Sequence, residues 1–366
     1  MRIFCNQLVP VAMLVVPVAS GAFGIRPCQA LPEPGGGAGR RCETGASRMK
    51  AVIQDRYGTA DVLAVDDIPE PVPADDEVLV RVRAASLNGS DRENLAGRPF
   101  YARLGGLRRP RSPVPGSDVA GVVAAAGASV TDFAPGDEVF GELAGYRGGL
   151  AEYVATPPRL LARKPPGLSF AQAAAIPQAG CIALRSTRGL RPGMQVLVNG
   201  AGGAGGALVT GLAKHRGATV TAVDRADKAE YLRHAGADHA VAFEEEDWAD
   251  HRSRYDRIVD LVAHRSPHRV HRALRPGGAY LVVGGYTRVL VAALLAGPPI
   301  RWTTGKHVGV LAVPQSRADL EEVTALVTGG ALVPAVDRVY RLDEAPAAFA
   351  RLAAGDNRGK IVFGIP

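Results

Sequence analysis

The stretch from Gln195 to Asp224 restricts this chain to very few folds. Val196, Leu197 and Val198 suit a strand buried on both faces, and Gly200-Ala201-Gly202-Gly203-Ala204-Gly205-Gly206 follows at once. Glycines there let the backbone turn tightly and meet a ligand with no side chain between them. Ala204 to Arg216 then reads as a helix, and Ala218 to Asp224 as a second apolar strand closed by an acid. The free N–H groups and positive dipole end of such a helix suit a pyrophosphate. A carboxylate about 20 residues beyond the turn suits the hydroxyls of a ribose. The order strand, glycine turn, helix, strand, acid therefore predicts a dinucleotide-binding βαβ unit. Asp224 has a second reading as the N-cap of the next helix.

The alternation continues downstream. A helix over Lys228–His234 stops at Gly236, and strands begin at His239, Tyr255, Gly278 and Lys306. Pro267 to Leu274 and Asp319 to Thr328 read as helices. Strands alternating with helices mean a parallel sheet with right-handed crossovers. Residues 285–302 are mostly apolar and suit a substrate flap or a subunit contact. His264, His268 and His271 fall on one helical face, but Arg265, Arg269 and Arg272 are interleaved, so the face reads as solvated and basic. The acidic run Glu244 to Asp247 reads as a solvated helix start.

Upstream the pattern changes. Residues 50–54, 62–65 and 77–83 read as short strands, the last alternating with period two, and Pro69, Pro71 and Pro73 punctuate them. More strands with Gly/Pro turns run to Val154, which predicts a compact barrel-like β domain. Leu168 to Ser186 reads as a helix bridging the domains, interrupted near Pro177. The last segment gives a strand, a helix over Asp343–Ala354 and the strand at Lys360.

Several motifs then carry a family resemblance: Pro115-Gly-Ser-Asp118-Val-Ala-Gly121, Pro135-Gly-Asp137-Glu-Val-Phe-Gly141, Gly149-Leu-Ala-Glu-Tyr-Val, Ala173-Ala-Ala-Ile-Pro177, the glycine turn, Leu232-Arg-His-Ala-Gly236-Ala-Asp238 and Gly359-Lys360-Ile-Val. In this order over residues 49–366 they resemble the medium-chain dehydrogenase/reductases, in particular the zinc-independent quinone oxidoreductase and enone reductase branch. The resemblance implies an α/β fold, with a Rossmann doubly wound parallel sheet and a GroES-like β-barrel catalytic domain. The expected division is 49–170 for the catalytic domain, 171–315 for the NAD(P)-binding domain and 316–366 for a segment returning to the first.

The resemblance implies hydride transfer from NAD(P)H to a quinone or an α,β-unsaturated carbonyl. An alkenal or prostaglandin-type double-bond reductase is the alternative, and a dinucleotide-binding protein without turnover is a third class. Asn88 is the expected donor in the cleft, with Asp91 and Tyr101 positioning or touching substrate. Gly200, Ala201, Gly202, Gly203, Ala204, Gly205, Gly206, Asp224, Arg225, Ile182, Gly284 and Lys360 are the expected coenzyme contacts. Ile182 stands where relatives often have Thr, and Gly89 where they often have Pro. Asp224 favours NADH, whereas Arg225 next to it can grip a 2′-phosphate. The preference read here is for NADH.

No metal is expected. Catalytic zinc needs thiolate, imidazole and carboxylate ligands around an open position. There is no Cys or His between Met49 and Gly180, and all eight His lie at His215 or beyond. Where zinc relatives carry a Cys ligand and a Gly-His-Glu group, this chain has Asn88 and Gly116-Ser117-Asp118.

Composition excludes other classes. The net charge is +7, but the basic residues are scattered, and the one tight cluster, Arg108, Arg109 and Arg111, is broken by Pro110. No nucleic-acid face follows. The partners expected are a small-molecule substrate and a second copy of the chain in a homodimer, with no membrane. Cys5, Cys28, Cys42 and Cys181 give no disulfide framework, and Cys181 reads as packing. Residues 1–48 read either as a signal-like segment or as an upstream extension with a natural start at Met49, and are set apart from the fold as poorly ordered. The extension reading goes with a cytoplasmic protein, the signal reading with export.

Overall fold

The structure is a computed structural model, and it describes residues 47–103 and 106–366. The expectations for residues 1–46 lie outside these. Two strands open the described chain, β1 (Arg48–Gln54) and β2 (Leu63–Pro69), paired antiparallel. Then come β3 (Val78–Ser86), helix α1 (Gly89–Ala96), β4 (Asp118–Ala126), β5 (Glu138–Glu142), β6 (Tyr153–Thr156) and β7 (Leu161–Arg163). Gly121 shows how closely they pack: a Cβ there would lie 2.1 Å from the Arg81 carbonyl oxygen.

The bridging segment is two helices, α2 (Phe170–Ala174) and α3 (Pro177–Thr187). Pro177 starts the second, where its missing N–H costs nothing. The parallel unit follows: β8 (Gln195–Asn199), α4 (Ala204–His215), β9 (Thr219–Asp224), α5 (Ala229–His234), β10 (His239–Ala242), β11 (Tyr255–Asp260), α6 (Pro267–Val270), β12 (Leu274–Val282), α7 (Thr287–Thr304) and β13 (His307–Val310). Its order β10-β9-β8-β11-β12-β13 is the doubly wound arrangement, with its switch point between β8 and β11. Core clusters cover both faces, one under α3 and α4 and the other around Trp248, Tyr255 and Tyr280.

The chain ends with α8 (Arg317–Thr328), β14 (Val336–Tyr340), α9 (Ala345–Ala354) and β15 (Lys360–Gly364). β15 pairs antiparallel with β3, so the tail completes the seven-stranded sheet of the first domain.

The mostly apolar residues 287–304 form the long helix α7, with Pro298 and Pro299 inside it. Three expectations need correction. The histidine face does not form: α6 is only four residues long, a 3-10 turn over His271–Ala273 follows, and His264 lies before it. Nor are the adjacent charges all free. Arg265 pairs with Asp247 at 2.7 Å, and Arg269 with Asp247 and Asp250. The acidic run ends in the 3-10 turn Trp248–Asp250 rather than a helix, and Asp247 faces these arginines.

Candidate active site

The glycine turn leaves β8 at the switch point. Gly200 has φ +80°, a conformation that favours glycine, and a Cβ on Gly206 would lie 2.2 Å from the Gly200 carbonyl oxygen. These two glycines let α4 rest on the turn. Gly203 is the N-cap of α4 and brings no side chain to its orphan N–H groups. Its backbone also bridges Gly359, which ties the turn to the returning tail. Ala201 is buried in the core, and Ala204 and Gly205 make the first turn of the helix. Beside the turn, buried Asp260 accepts from Asn199 Nδ2 at 2.8 Å and from the Tyr280 hydroxyl at 2.9 Å. Burial raises its carboxyl despite these donors. Gly284, just past β12, donates to the Asp260 carbonyl and accepts from Ala263.

Asp224 closes β9, as its place in the sequence predicts. It does not cap a helix. Its Oδ2 accepts from the Gly202 N–H at 2.7 Å, and Lys228 Nζ lies 3.4 Å from Oδ1. Arg225 is held by Asp227 at 3.0 Å and by Asp356 of the tail at 2.8 Å. The Tyr231 hydroxyl, on α5 close enough for Asp224 to affect it, is buried without a partner. Burial pushes that phenol up to about 12. An uncapped helix end, and a ribose-type acid with an unpartnered buried phenol near it, fit a dinucleotide. The residues that would hold it are the turn, Asp224, Lys228, Arg225 and Tyr231. Sequence reading missed Lys228 and Tyr231, although the i+4 spacing of Lys228 from Asp224 was there to see.

A buried polar cluster lies one residue along the tail from Gly359, around Lys360. Asn88 caps α1, and the Asp91 carboxylate reaches back to accept from the Asn88 backbone N–H at 2.6 Å. Asn88-x-x-Asp91 is thus one half of a capping box, a local signal for the start of α1. Asn88 Nδ2 donates to Ser117 Oγ at 2.9 Å and to Asp118 Oδ2 at 2.8 Å, and Oδ1 accepts from Lys360 Nζ. Ser117 in turn donates to Asp91 Oδ2 at 2.8 Å. Lys360 Nζ also lies 2.9 Å from Asp118 Oδ2, with both side chains buried.

Two expectations change here. Asn88 has no amide hydrogen left for a substrate, because both are spent inside the protein. Lys360 turns its ammonium into this cluster rather than toward the glycine turn, although its neighbour Gly359 touches Gly203. Asp91 lies within the cluster, its Oδ1 buried and unpartnered. Burial pushes its carboxyl up to about 7, against the lowering pull of the Asn88 N–H and the Ser117 hydroxyl. Tyr101 falls in the 3-10 turn Phe100–Arg103, and its side chain lies outside the described residues. Ile182 is half-buried against the core on α3. Cys181 is buried beside it, and burial raises its thiol.

Among the described residues no group of three or more His, Cys, Asp or Glu is placed to hold a metal ion, and no helix is long and apolar enough to cross a membrane.

A doubly wound sheet with an uncapped glycine turn at its switch point, joined to a barrel-like domain by a returning tail, defines a two-domain dinucleotide-binding oxidoreductase. Comparison with known proteins agrees. Residues 74–166 match the alcohol dehydrogenase GroES-like domain, and residues 235–363 match the zinc-binding dehydrogenase family. A 2-methylene-furan-3-one reductase of Solanum lycopersicum is 32% identical over 87% of this chain and 79% of its own. A chloroplastic NADPH-dependent alkenal/one oxidoreductase of Arabidopsis thaliana is 37% identical over 65% of this chain and 63% of its own. The quinone oxidoreductase from Coxiella burnetii superposes with a TM-score of 0.80 at 29% identity, over 87% of this chain and all of that one. The chain belongs to the medium-chain dehydrogenase/reductase superfamily.

Proposed function

We propose that this protein reduces quinones or α,β-unsaturated carbonyls with NAD(P)H and needs no metal to do so. The observation that carries the metal-free part is the Lys360–Asp118 pair. Where a zinc enzyme would concentrate positive charge, this chain has a buried ammonium whose carboxylate is already neutralised, flanked by uncharged Asn88 and Ser117. A conjugated acceptor spreads the charge that hydride brings, so it asks less of a Lewis acid than a simple carbonyl does. With its pyrophosphate held at the glycine turn, the coenzyme would supply the hydride from its reduced nicotinamide. The protein's part is to hold the coenzyme at α4, to orient the acceptor in the cleft and to stabilise the developing oxyanion. The relatives' activities on a furanone, an alkenal or enone and a quinone support this acceptor class.

Coenzyme choice rests on Asp224, which repels a 2′-phosphate, against Lys228 and Arg225, which attract one. With its carboxylate bound to Gly202 and close to Lys228, Asp224 is a weak gatekeeper, and the reading is that both coenzymes are used. A homodimer through the free edge of β13 and the helix α7 packed on it is supported by exposed Tyr286, Leu295 and Trp302. The cytoplasmic location stays a proposal beside it.

The test is NADH and NADPH oxidation by the full chain with a simple quinone and a simple enone, with and without chelator. Turnover that survives chelator is expected. Turnover abolished by chelator and restored by zinc would overturn the metal-free reading.

A further inference from the structure

The cluster at Asn88 leaves the reaction without an evident proton source, since the Asn88 amide hydrogens are spent within the protein and the free Oδ1 of Asp91 is buried. One acid at its edge is differently placed. Glu142 is the last residue of β5 and lies in register opposite Asp118, the first of β4. Its Oε1 accepts from Gln178 Nε2 at the start of α3, and Gln178 also reaches Ser90 of α1. The following residue, Leu143, donates to the Ser117 carbonyl and accepts from Gln315, which follows β13. Glu142 therefore sits where the barrel-like domain meets the coenzyme domain. Asp118 takes Lys360, Asn88 and the Gln178 N–H, and Asp91 takes Asn88 and Ser117. No hydrogen bond from the described residues reaches Oε2 of Glu142. Beyond it, Tyr146 is held at φ +57°, a conformation rare for a bulky side chain, at the end of a turn that also carries Gly145 at φ +66°. Its phenol feels Glu142 and Asp118 and is pushed up to about 12, chiefly by burial.

We propose that Glu142 is the proton donor of the reduction, hydrogen-bonding the acceptor's carbonyl oxygen through Oε2 and protonating it as hydride arrives. The proposal rests on the reductase reading above. In an enone the hydride forms the new C–H bond at the β carbon, with both electrons from the reduced coenzyme, which leaves oxidised. The C=C π pair shifts toward the carbonyl, whose oxygen takes the Glu142 proton to give an enol. The enol tautomerises to the saturated ketone, and Glu142 regains a proton from water. The charge environment suits this part. Burial and the nearby Asp118 hold the carboxyl protonated, with its ionisation pushed up to about 8. Against these, the Gln178 amide hydrogen bond and the Lys360 ammonium favour the carboxylate, while Asp91, Tyr146 and Cys181 are the other titratable groups bearing on it. An acid titrating near the working pH is the effective kind of general acid.

The test compares the full-length protein with Glu142→Gln and Glu142→Asp. Removing a general acid typically costs on the order of 100-fold or more, so Glu142→Gln should lose about that in kcat with a simple enone. A quinone gains aromaticity on accepting hydride and needs less help, so its rate should fall much less. Wild-type enone turnover should decline above about pH 8, and the Gln variant should lack that limb. Glu142→Asp, which keeps the acid, should recover part of the rate. Two readouts do not depend on turnover. Coenzyme binding by fluorescence titration and the melting temperature near pH 7 should show that Glu142→Gln is folded. Infrared titration of the coenzyme-free protein should show, beside the Asp91 carboxyl titrating near 7, a protonated carboxyl component that disappears around pH 8 in wild type, and Glu142→Gln should lack that component. Wild-type turnover with an unchanged enone rate in a folded Glu142→Gln overturns the proposal alone. Wild-type protein that reduces neither acceptor overturns the reductase reading and the proposal with it.

Discussion

The glycine turn and the Asn88 cluster are joined through Gly359 and Lys360 of the returning tail and are built by opposite means. The turn is one continuous run, and what it offers a ligand is backbone: uncapped N–H groups and room where a Cβ would collide. The cluster offers side chains from five separate segments, α1, β4, β5, α3 and β15. Its longest link, Lys360 to Asn88, spans 272 residues. The turn works because side chains are missing. The cluster works because its buried polar groups partner one another, with Oδ1 of Asp91 the exception. A site made of backbone tolerates substitution until a Cβ intrudes. A site made of buried charges fails when one partner is lost.

That contrast sets the order of expected effects. Lys360→Met should be the most damaging, because it strands the Asp118 carboxylate in the interior. Breaking a buried pair by removing one partner costs about 3–5 kcal/mol, to be read from urea unfolding. A loss below about 1 kcal/mol would mean that the pair behaves like a surface bridge and that the contrast is wrong.

Gly206→Ala should be next. A Cβ forced against the Gly200 carbonyl has backbone, not a flexible side chain, in its way. Overpacking of this kind costs about 1–3 kcal/mol, and coenzyme binding should weaken markedly in the same variant. Unchanged coenzyme affinity would separate the turn from the binding site.

The pH dependence of stability tests the cluster without a substitution. Folding raises the carboxyls of Asp91 and Glu142 from ordinary values of 3.8 and 4.5 to about 7 and 8. The folded state therefore binds their protons more tightly than the unfolded chain does. Their contribution is complete below the ordinary values and is lost as pH rises toward 7 and 8. The melting temperature should fall from pH 5 to pH 8.5, and the double variant Asp91→Asn/Glu142→Gln should flatten that slope. A wild-type slope of opposite sign would show that both carboxyls are ionised in the folded state.

The smallest effect should come from the coenzyme side. Asp224→Ser removes the repulsion toward a 2′-phosphate and frees Lys228, and should shift the NADPH-to-NADH affinity ratio by about tenfold, roughly 1.4 kcal/mol. Isothermal titration with both coenzymes reads this directly. No shift would place the 2′-position away from Asp224.

Legibility in the sequence follows the same divide. The βαβ unit could be read because its determinants are local: strand composition, glycine positions and the distance to Asp224 all lie within one short stretch. The barrel-like domain was visible as short strands between Gly/Pro turns, and the motifs quoted above placed it in its family. Asp224 closes β9 and the glycines form the turn between β8 and α4, the places in the fold that their spacing predicts. Helix α1 was missed although Asn88 and Asp91 carried its capping signal. Helix α7 was missed because its apolar residues give no clear period and two prolines interrupt it.

The cluster was not legible, and the reason is physical. A residue's type shows that it can donate or accept a hydrogen bond, not whether that bond is already spent. Asn88 looked like a donor for substrate until folding brought Ser117, Asp118 and Lys360 around it. Lys360 looked like a coenzyme contact until β15 paired with β3 and carried its ammonium to Asp118. Glu142 was an unremarked acid at a strand end until strand register set it opposite Asp118 and burial changed its charge. Local composition thus decided the dinucleotide unit and the class of chemistry. The state of each charge, and which groups remain free to act, were decided by contacts between residues far apart in the chain.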